Sequence, residues 1–420
     1  MSLNKALVFL SSSAGELDWV LPIIDYLLDN DFNIEIIYRT KSAKKSVKGN
    51  SYLSDYLEGH KKINQASIGK ISNNIYRLKG ISYKARLKLK KYSLPSCWLD
   101  IFDDIFDLVH VKGIVECIVD HTENNKYLIF SGVTTLKRST SRFRYLIKKE
   151  FSTSVFFYHP HGVNIYTEGG LSYNDCATID RNREYILYGN PNDAQITKGN
   201  TYDISGTIPI CIGHPKYSDK WLTSFGKKNR SINSNHIVKI LLISTGVGTA
   251  FTQNEYRVLI ELTIKIIHEK FTNYQLIVRK HPRELDSSWD IASKQNKSII
   301  ITKESILELA IKADFAITFR STASIDCFVM GIPVIEFNCF MKKLIDQFGY
   351  EQANRFRGLG VVLSADNENE LKSALSKIIS QNYRTSVEMA HPFLSEIIKR
   401  SNNWEKYFKS ALNVNDIFLE

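Results

Sequence analysis

A chain of 420 residues is longer than one hydrophobic core usually holds, so two domains of roughly 150 to 220 residues are expected. With 43% hydrophobic and 24% charged residues, the composition is that of a folded protein and excludes long disorder. The formal net charge of +11 is concentrated: 15 Lys and Arg lie between Arg39 and Lys91, against only Asp55 and Glu58, which points to an anionic partner.

The first apolar burst, Ala6 to Leu10, reads as a buried strand, too short for a signal-peptide core or a membrane span. No later window holds 18 consecutive apolar residues, so a soluble, cytoplasmic protein is expected. After this strand come a Ser-Ser-Ser-Ala-Gly-Glu loop, a helix with Val20, Ile23, Ile24, Leu27 and Leu28 on its apolar positions, and a second strand, Asn33 to Tyr38. The basic segment, about 39–122, interrupts there as an insertion, with a helical hairpin over roughly 52–122. Strands resume at Tyr127 to Ser131, Ser154 to Tyr158, Glu184 to Tyr188 and Pro209 to Ile212. Residues 218–236 are polar, basic and poor in large apolar side chains, and read as a linker.

A second series begins at Ile237 to Ser244 and continues with Gln275 to Arg279, Ser298 to Ile301, Phe315 to Thr318 and Val334 to Phe337, with helices between. Short apolar runs alternating with helical periodicity give an α/β chain of two doubly wound parallel sheets. The expected organisation is a first domain over 1–217, a second over 237–391, and a C-terminal helical segment, 392–420, that packs back on the first. Two such sheets imply a cleft, with ligands beyond the carboxyl ends of the strands. The six cysteines, Cys97, Cys117, Cys176, Cys211, Cys327 and Cys339, have no C-x-x-C spacing and read as reduced core residues. Asp100, Asp103 and Asp104 share a helix with Ile101, Ile105 and Leu108, which makes them a wet acidic face and no metal site.

Two loops of the second series carry chemistry. Lys280-His281-Pro282 follows directly on a strand; Pro282 stops the sheet and restrains His281 to extended backbone, beside Arg279, Lys280 and Arg283. Arg320-Ser321-Thr322-Ala323-Ser324 lies between a strand and a helix start, where hydroxyls and backbone N–H groups suit an anion. Plain N-capping by Ser321 or Thr322 explains either loop alone; together they read as a phosphate site. Ser244-Thr245-Gly246-Val247-Gly248 occupies the first loop of the series, where Gly246 and Gly248 would either admit a diphosphate to the backbone or simply make a tight turn.

The run Lys280-His281-Pro282, then Thr318-x-x-Ser321-Thr322-x-Ser324, then Gly331-x-Pro333-Val334-Ile335, resembles the C-terminal half of GT-B glycosyltransferases that build bacterial surface polymers. Capsule polysialyltransferases, Kdo transferases and CDP-glycerol glycerophosphotransferases are the similar families; the likeness spans roughly residues 237–380 and includes Arg357 to Leu375. It implies donor phosphates held by His281, Ser321, Thr322 and Ser324. The charges of Lys280 and Arg320 in the same loops would add to that site, and with the phosphate charge met by basic side chains and helix dipoles no metal and no resident cofactor is expected. In the first half, Tyr158-His159-Pro160-His161-Gly162 resembles the His-Gly loop of the teichoic acid polymerases, which implies His161 as catalytic base. Glu16, Asp18 and Glu168 remain alternative bases, and His214 in the Gly213-His214-Pro215 turn reads as structural. The implied reaction is transfer of a sugar, with inversion, from a nucleotide-activated donor to a surface glycan or lipid-linked acceptor. Lys84, Arg86, Lys88, Lys90 and Lys91 would face the acceptor or an anionic membrane on the inner face of the plasma membrane, or form a plain solvated helical face. No nucleic-acid module is present. Three alternatives stay open: a polyol-phosphate transferase; a UDP-sugar 2-epimerase, suggested by Gly15, Glu16, Pro22, Ile23 and Ile24 but lacking a His-x-Glu-Ala-Gly motif; and a non-catalytic nucleotide- or glycan-binding subunit.

Overall fold

The computed structural model describes residues 5–11, 14–68, 97–118, 125–136, 140–160, 184–189, 206–226, 237–248, 250–281, 284, 286–380, 390 and 392–413. The chain divides into two units, one made of Met1–Lys48, Leu53–Lys216 and Asn403–Glu420, the other of Gly49–Tyr52 and Tyr217–Asn402. In chain order the first half runs β1 (Lys5–Leu10), α1 (Ala14–Asp29), β2 (Asn33–Tyr38), α2 (Lys41–Lys48), α3 (Ser51–Gly59), β3 (Ile63–Ser67), α4 (Cys97–Val115), β4 (Leu128–Gly132), α5 (Ser141–Glu150), β5 (Val155–His159), β6 (Glu184–Tyr188), β7 (Ile208–Cys211) and α6 (Asp219–Ser224). The second half runs β8 (Val238–Ile243), α7 (Gln253–Lys270), β9 (Tyr274–Arg279), α8 (Ser288–Gln295), β10 (Ile299–Thr302), α9 (Ile306–Ala310), β11 (Phe315–Thr318), α10 (Ala323–Val329), β12 (Val334–Phe337), α11 (Met341–Phe348), β13 (Leu363–Ala365), α12 (Glu368–Ser380), α13 (Pro392–Ser401) and α14 (Trp404–Asn413).

Both sheets are parallel and Rossmann-like. The first is ordered β3-β2-β1-β4-β5-β6-β7 and the second β10-β9-β8-β11-β12-β13. In each, the chain leaves the first strand to one side and returns to the other, which opens a crevice at the carboxyl ends of the first and fourth strands of that unit.

Alternation along the strands separates the two faces of the first sheet. Leu7, Phe9, Ile37, Ile129, Phe156, Tyr158 and Ile186 point to one face and pack with Val111, Ile114 and Ile118 from α4 and its C-terminal turn, and with Phe143, Ile147 and Phe151 from α5 and its C-cap. On the opposite face Phe130, Phe157 and Tyr185 stack across three strands, with centroids 5.2 and 5.3 Å apart. α14 covers that ladder: Phe408 lies 6.2 Å from Phe130 and 5.2 Å from Phe157, and both Trp404 and Phe408 stand edge-on to Tyr26 of α1. In the second unit Ile240, Leu242, Leu276, Val278, Phe315, Ile317, Ile335 and Phe337 form one core with α7, α8, α11 and α12. Capping boxes start two of its helices, Thr252 with Glu255 at α7 and Ser305 with Glu308 at α9.

Three expectations change. The span 52–122 is not a helical hairpin, because β3 pairs with β2 as an edge strand between α3 and α4. Its sequence, INQAS, buries only Ile63, so it carries no strand period and is recruited by backbone pairing alone. The linker does not begin at 218: Ser218 caps α6, accepting from the Trp221 N–H, and α6 buries Trp221 and Leu222. The C-terminal segment is two helices, and the division between the units falls between them, at Asn402 and Asn403.

Candidate functional site

The row Thr302–Arg279–Ile243–Thr318–Glu336–Ser364 crosses the second sheet in register, so the loops after its strands leave from one edge. At about 4.8 Å per strand, the loops after β9 and β11 are roughly 10 Å apart with the β8 loop between them, a span suited to a nucleoside diphosphate. Thr245 ties the β8 loop to the β11 loop by donating from Oγ1 to the Phe319 carbonyl at 2.9 Å.

Arg320, Ser321 and Thr322 stand at this edge, Arg320 and Ser321 half-buried and Thr322 exposed. Arg320 has φ 69°, a left-handed conformation costly for any residue with a Cβ, and its guanidinium lies 4.9 Å from the Phe348 ring centroid. Ser321 Oγ accepts from the Ala323 N–H at 3.3 Å. His281, half-buried, is placed by its backbone, whose N–H donates to Glu284 Oε2 at 3.2 Å while its carbonyl accepts from the Glu284 N–H at 2.8 Å.

The remaining expected phosphate ligands are turned elsewhere. Ser324 is fully buried; its hydroxyl donates to the Ser321 carbonyl at 2.7 Å and lies 3.1 Å from Thr318 Oγ1, because α10 has only seven residues and this side chain closes its first turn. Lys280 Nζ reaches Asp290 Oδ2 at 2.7 Å and the Asp286 carbonyl at 2.9 Å, clamping the loop to α8. Gly248 gives its N–H to the Phe251 carbonyl at 3.1 Å. Gly246, at φ 74°, is a glycine for a packing reason: a Cβ there would meet Glu284 Cγ at 2.9 Å. Pro282 and Arg283 lie outside the described residues.

Glu284, absent from the sequence reading, organises the crevice. Its carboxylate accepts from Ser244 Oγ, from Tyr256 OH at 2.7 Å and from the His281 N–H, and Trp289 Nε1 donates to Tyr256 OH at 2.9 Å. Burial, then the Glu284 charge, pushes the Tyr256 hydroxyl far above its ordinary pKa, so it stays a donor. A carboxylate offers about four lone pairs, and the described residues use three, which leaves one on Oε1 among them. Burial lowers the Arg279 pKa, and its guanidinium is spent on the Glu304 and Lys280 carbonyls at 2.8 and 2.6 Å. At the end of β12, Asn338 Oδ1 accepts from the Phe340 N–H at 3.0 Å, while its buried Nδ2 has no partner among the described residues.

In the first unit His161, Glu168, Lys84, Arg86, Lys88, Lys90 and Lys91 lie outside the described residues. Glu16 is buried at the head of α1 and its two oxygens accept from the Ser11 N–H at 2.7 Å and Ser11 Oγ at 3.0 Å, so it holds the β1 loop. Asp18 pairs with Lys216 at 2.9 Å. Trp19 lies between two buried imidazoles, stacked on His159 and edge-on to His214, each at 5.4 Å. Arg39 is not a surface cation: it is buried 3.9 Å from the Phe143 centroid, with Nε donating to His110 Nε2 at 3.2 Å.

A buried ionic cluster lies under α5. Arg144 grips Glu184 with two bonds of 3.0 and 2.9 Å, and Lys148 Nζ and Tyr158 OH donate to the same carboxylate at 2.6 and 2.7 Å. Burial alone would raise the Glu184 pKa, but the Arg144 bonds and charge, with Lys148 and Tyr158, hold it below the ordinary value. Among the described residues no group of His, Cys, Asp or Glu could hold a metal ion, and no helix is long and apolar enough to cross a membrane.

No protein-family model matches the sequence, and no curated protein matches it. Solved structures do. A UDP-N-acetylglucosamine 2-epimerase superposes with a TM-score of 0.53 at 11% identity, covering 100% of this chain and 98% of that one. S. aureus MnaA, solved with UDP, gives 0.52 at 11% identity over 99% of this chain and 98% of the other. Arabidopsis thaliana UGT89C1, complexed with UDP-L-rhamnose, gives 0.48 at 10% identity over 100% of both. The first two establish the fold: an α/β chain of two Rossmann-like units of the GT-B-like kind.

Proposed function

We infer that the chain is a nucleotide-sugar-dependent enzyme, and more narrowly a glycosyltransferase that binds its activated donor at the crevice of the second unit. One observation carries this reading: Arg320, Ser321 and Thr322 stand on the β11 loop, at the same edge of one parallel sheet as the β9 loop that bears His281. The Glu284 charge opposes a phosphate there, so Arg320 is the group that must outweigh it, with the His281 imidazole as second donor. The free lone pair on Glu284 Oε1 suits a ribose hydroxyl, the usual partner of an acid after the second strand of such a unit.

In this reading the acceptor hydroxyl attacks the anomeric carbon as the sugar–phosphate bond breaks, and Arg320 and His281 stabilise the charge left on the departing nucleotide. A base takes the hydroxyl proton, and His161 is the proposed group. A surface glycan or lipid-linked sugar is the proposed acceptor.

The test is incubation with CMP-, CDP-, UDP-, GDP- and dTDP-linked donors, with and without a lipid-linked acceptor. Nucleotide release that requires acceptor and is lost in Arg320→Ala supports transfer. Conversion of the sugar without release would replace it by a 2-epimerase. Neither product nor nucleotide binding across the panel would remove both.

A further inference from the structure

We propose that the outer face of α4 and α5 in the first unit is an interfacial surface that binds anionic phospholipid bilayers. It does not depend on which reaction the second unit performs.

The two helices lie side by side. Val111 and Ile114 of α4 and Phe143 and Ile147 of α5 enter the same core against the same face of the sheet, and the His110 and Phe143 rings are 5.4 Å apart. Their opposite faces therefore turn away from the sheet on one side of the unit, with axes about 8–10 Å apart. What those faces carry is unusual for two amphipathic helices. On α4, Ile105 is 49% and Leu108 57% exposed, and Lys112 follows one turn on, also exposed. On α5 the same i, i+3, i+7 spacing exposes Arg142, Tyr145 and Lys149, with Tyr145 56% exposed. The Arg142 guanidinium lies 5.3 Å from the Tyr145 ring centroid.

An isoleucine, a leucine and a tyrosine are exposed on the outer faces of two adjoining helices, where solvated side chains are the rule. Each stripe includes at least one cation. Apolar side chains able to enter the acyl boundary, a tyrosine suited to the headgroup level, and cations spaced between them are the features of a surface that lies on a membrane. A soluble polyanion would use the cations and leave Ile105 and Leu108 wet.

The sequence adds charge of the same sign. In the sequence Lys137 and Arg138 come shortly before Ser141, where α5 begins. In the sequence Lys84, Arg86, Lys88, Lys90 and Lys91 end six residues before Cys97, where α4 begins. Asp100, Asp103 and Asp104 precede Ile105 in the first half of α4. Arg144 and Lys148, also on α5, bond Glu184.

The experiment is co-sedimentation of the full chain with phosphatidylcholine vesicles, with and without phosphatidylglycerol. Two triple variants are compared, Lys112→Gln/Arg142→Gln/Lys149→Gln and Ile105→Ser/Leu108→Ser/Tyr145→Ser. All six side chains are exposed, so thermal unfolding should stay close to that of the unsubstituted chain. Binding is expected only with phosphatidylglycerol. Each neutralised cation should weaken it about fivefold, or roughly a hundredfold for the three, at low salt. The apolar triple should weaken it at least about tenfold. Three results would overturn the proposal: no vesicle binding by the unsubstituted chain, binding unchanged in either triple, or retention on dextran sulfate that matches vesicle binding and is insensitive to the apolar triple. The last assigns the face to an acidic polymer. Nucleotide release on a soluble acceptor should be the same in all three proteins, so failure here leaves the donor site untouched, and the reverse.

Discussion

Gly246→Ala tests how the candidate site is built. The new Cβ would sit 2.9 Å from Glu284 Cγ, 3.2 Å from its Cβ and 3.3 Å from its Cδ, and the backbone at φ 74° disfavours any Cβ. The left-handed conformation costs about 1–2 kcal/mol and the overlap about 1–2 more, for a total of roughly 2–4 kcal/mol. Because Glu284 holds the His281 N–H, the displaced loop should also loosen nucleotide binding. Glu284→Ala removes the Cγ and Cδ contacts and leaves the 3.2 Å approach to Cβ and the φ penalty, so the cost of Gly246→Ala should fall by about 1 kcal/mol in that background. Urea unfolding, read by hydrogen exchange on peptides of the second unit, gives the four corners of this cycle, and exchange keeps the two units separate where a single transition would mix them. Equal costs in both backgrounds would refute the packing argument, and so would a cost below about 1 kcal/mol in the unsubstituted protein.

Three further outcomes are expected. Arg320→Gly relieves the left-handed strain but loses the contact with Phe348, so stability should move by less than about 1 kcal/mol while nucleotide affinity falls roughly tenfold or more; unchanged affinity in titration calorimetry would remove Arg320 from the site. Glu184→Gln strands Arg144 under α5 and should cost about 3–5 kcal/mol at neutral pH. Since folding holds the Glu184 pKa down, its contribution is complete above the ordinary glutamate value of about 4.3 and is lost as pH falls through the lower folded value; a gap between the two proteins that widens in acid would contradict this. Phe408→Ala should cost about 3–5 kcal/mol and raise hydrogen exchange in β4 and β5, and equal exposure of second-unit peptides would show that α14 does not belong to the first core.

Short-range signals read correctly from sequence were those that need only a neighbour a few residues away. The apolar run expected as a strand over Ile237 to Ser244, entering a small-residue loop, is local and appears in the structure as β8, Val238–Ile243. The misreadings share a cause. Lys280 looked available because its partner Asp290 lies ten residues on, in a separate helix. Glu284 carried no local signal, because Ser244, one of its donors, is 40 residues earlier. Ser324 looked like a donor because nothing in the sequence says whether a hydroxyl in a first turn faces out or closes the turn on Thr318.

By itself, then, the sequence determined two parallel α/β units and the loops that end their strands, since hydrophobic period and turn chemistry are properties of the chain. It also placed Arg320 and His281 at strand ends. Only tertiary structure decided which side chains at those ends face outward. That choice follows from contacts between residues far apart in the chain: Glu284 drawing Ser244 and Tyr256 inward, and Asp290 taking Lys280. In the first unit, likewise, one sheet face packs Val111 and Ile114 of α4 with Phe143 and Ile147 of α5, while Ile105, Leu108 and Tyr145 stay exposed.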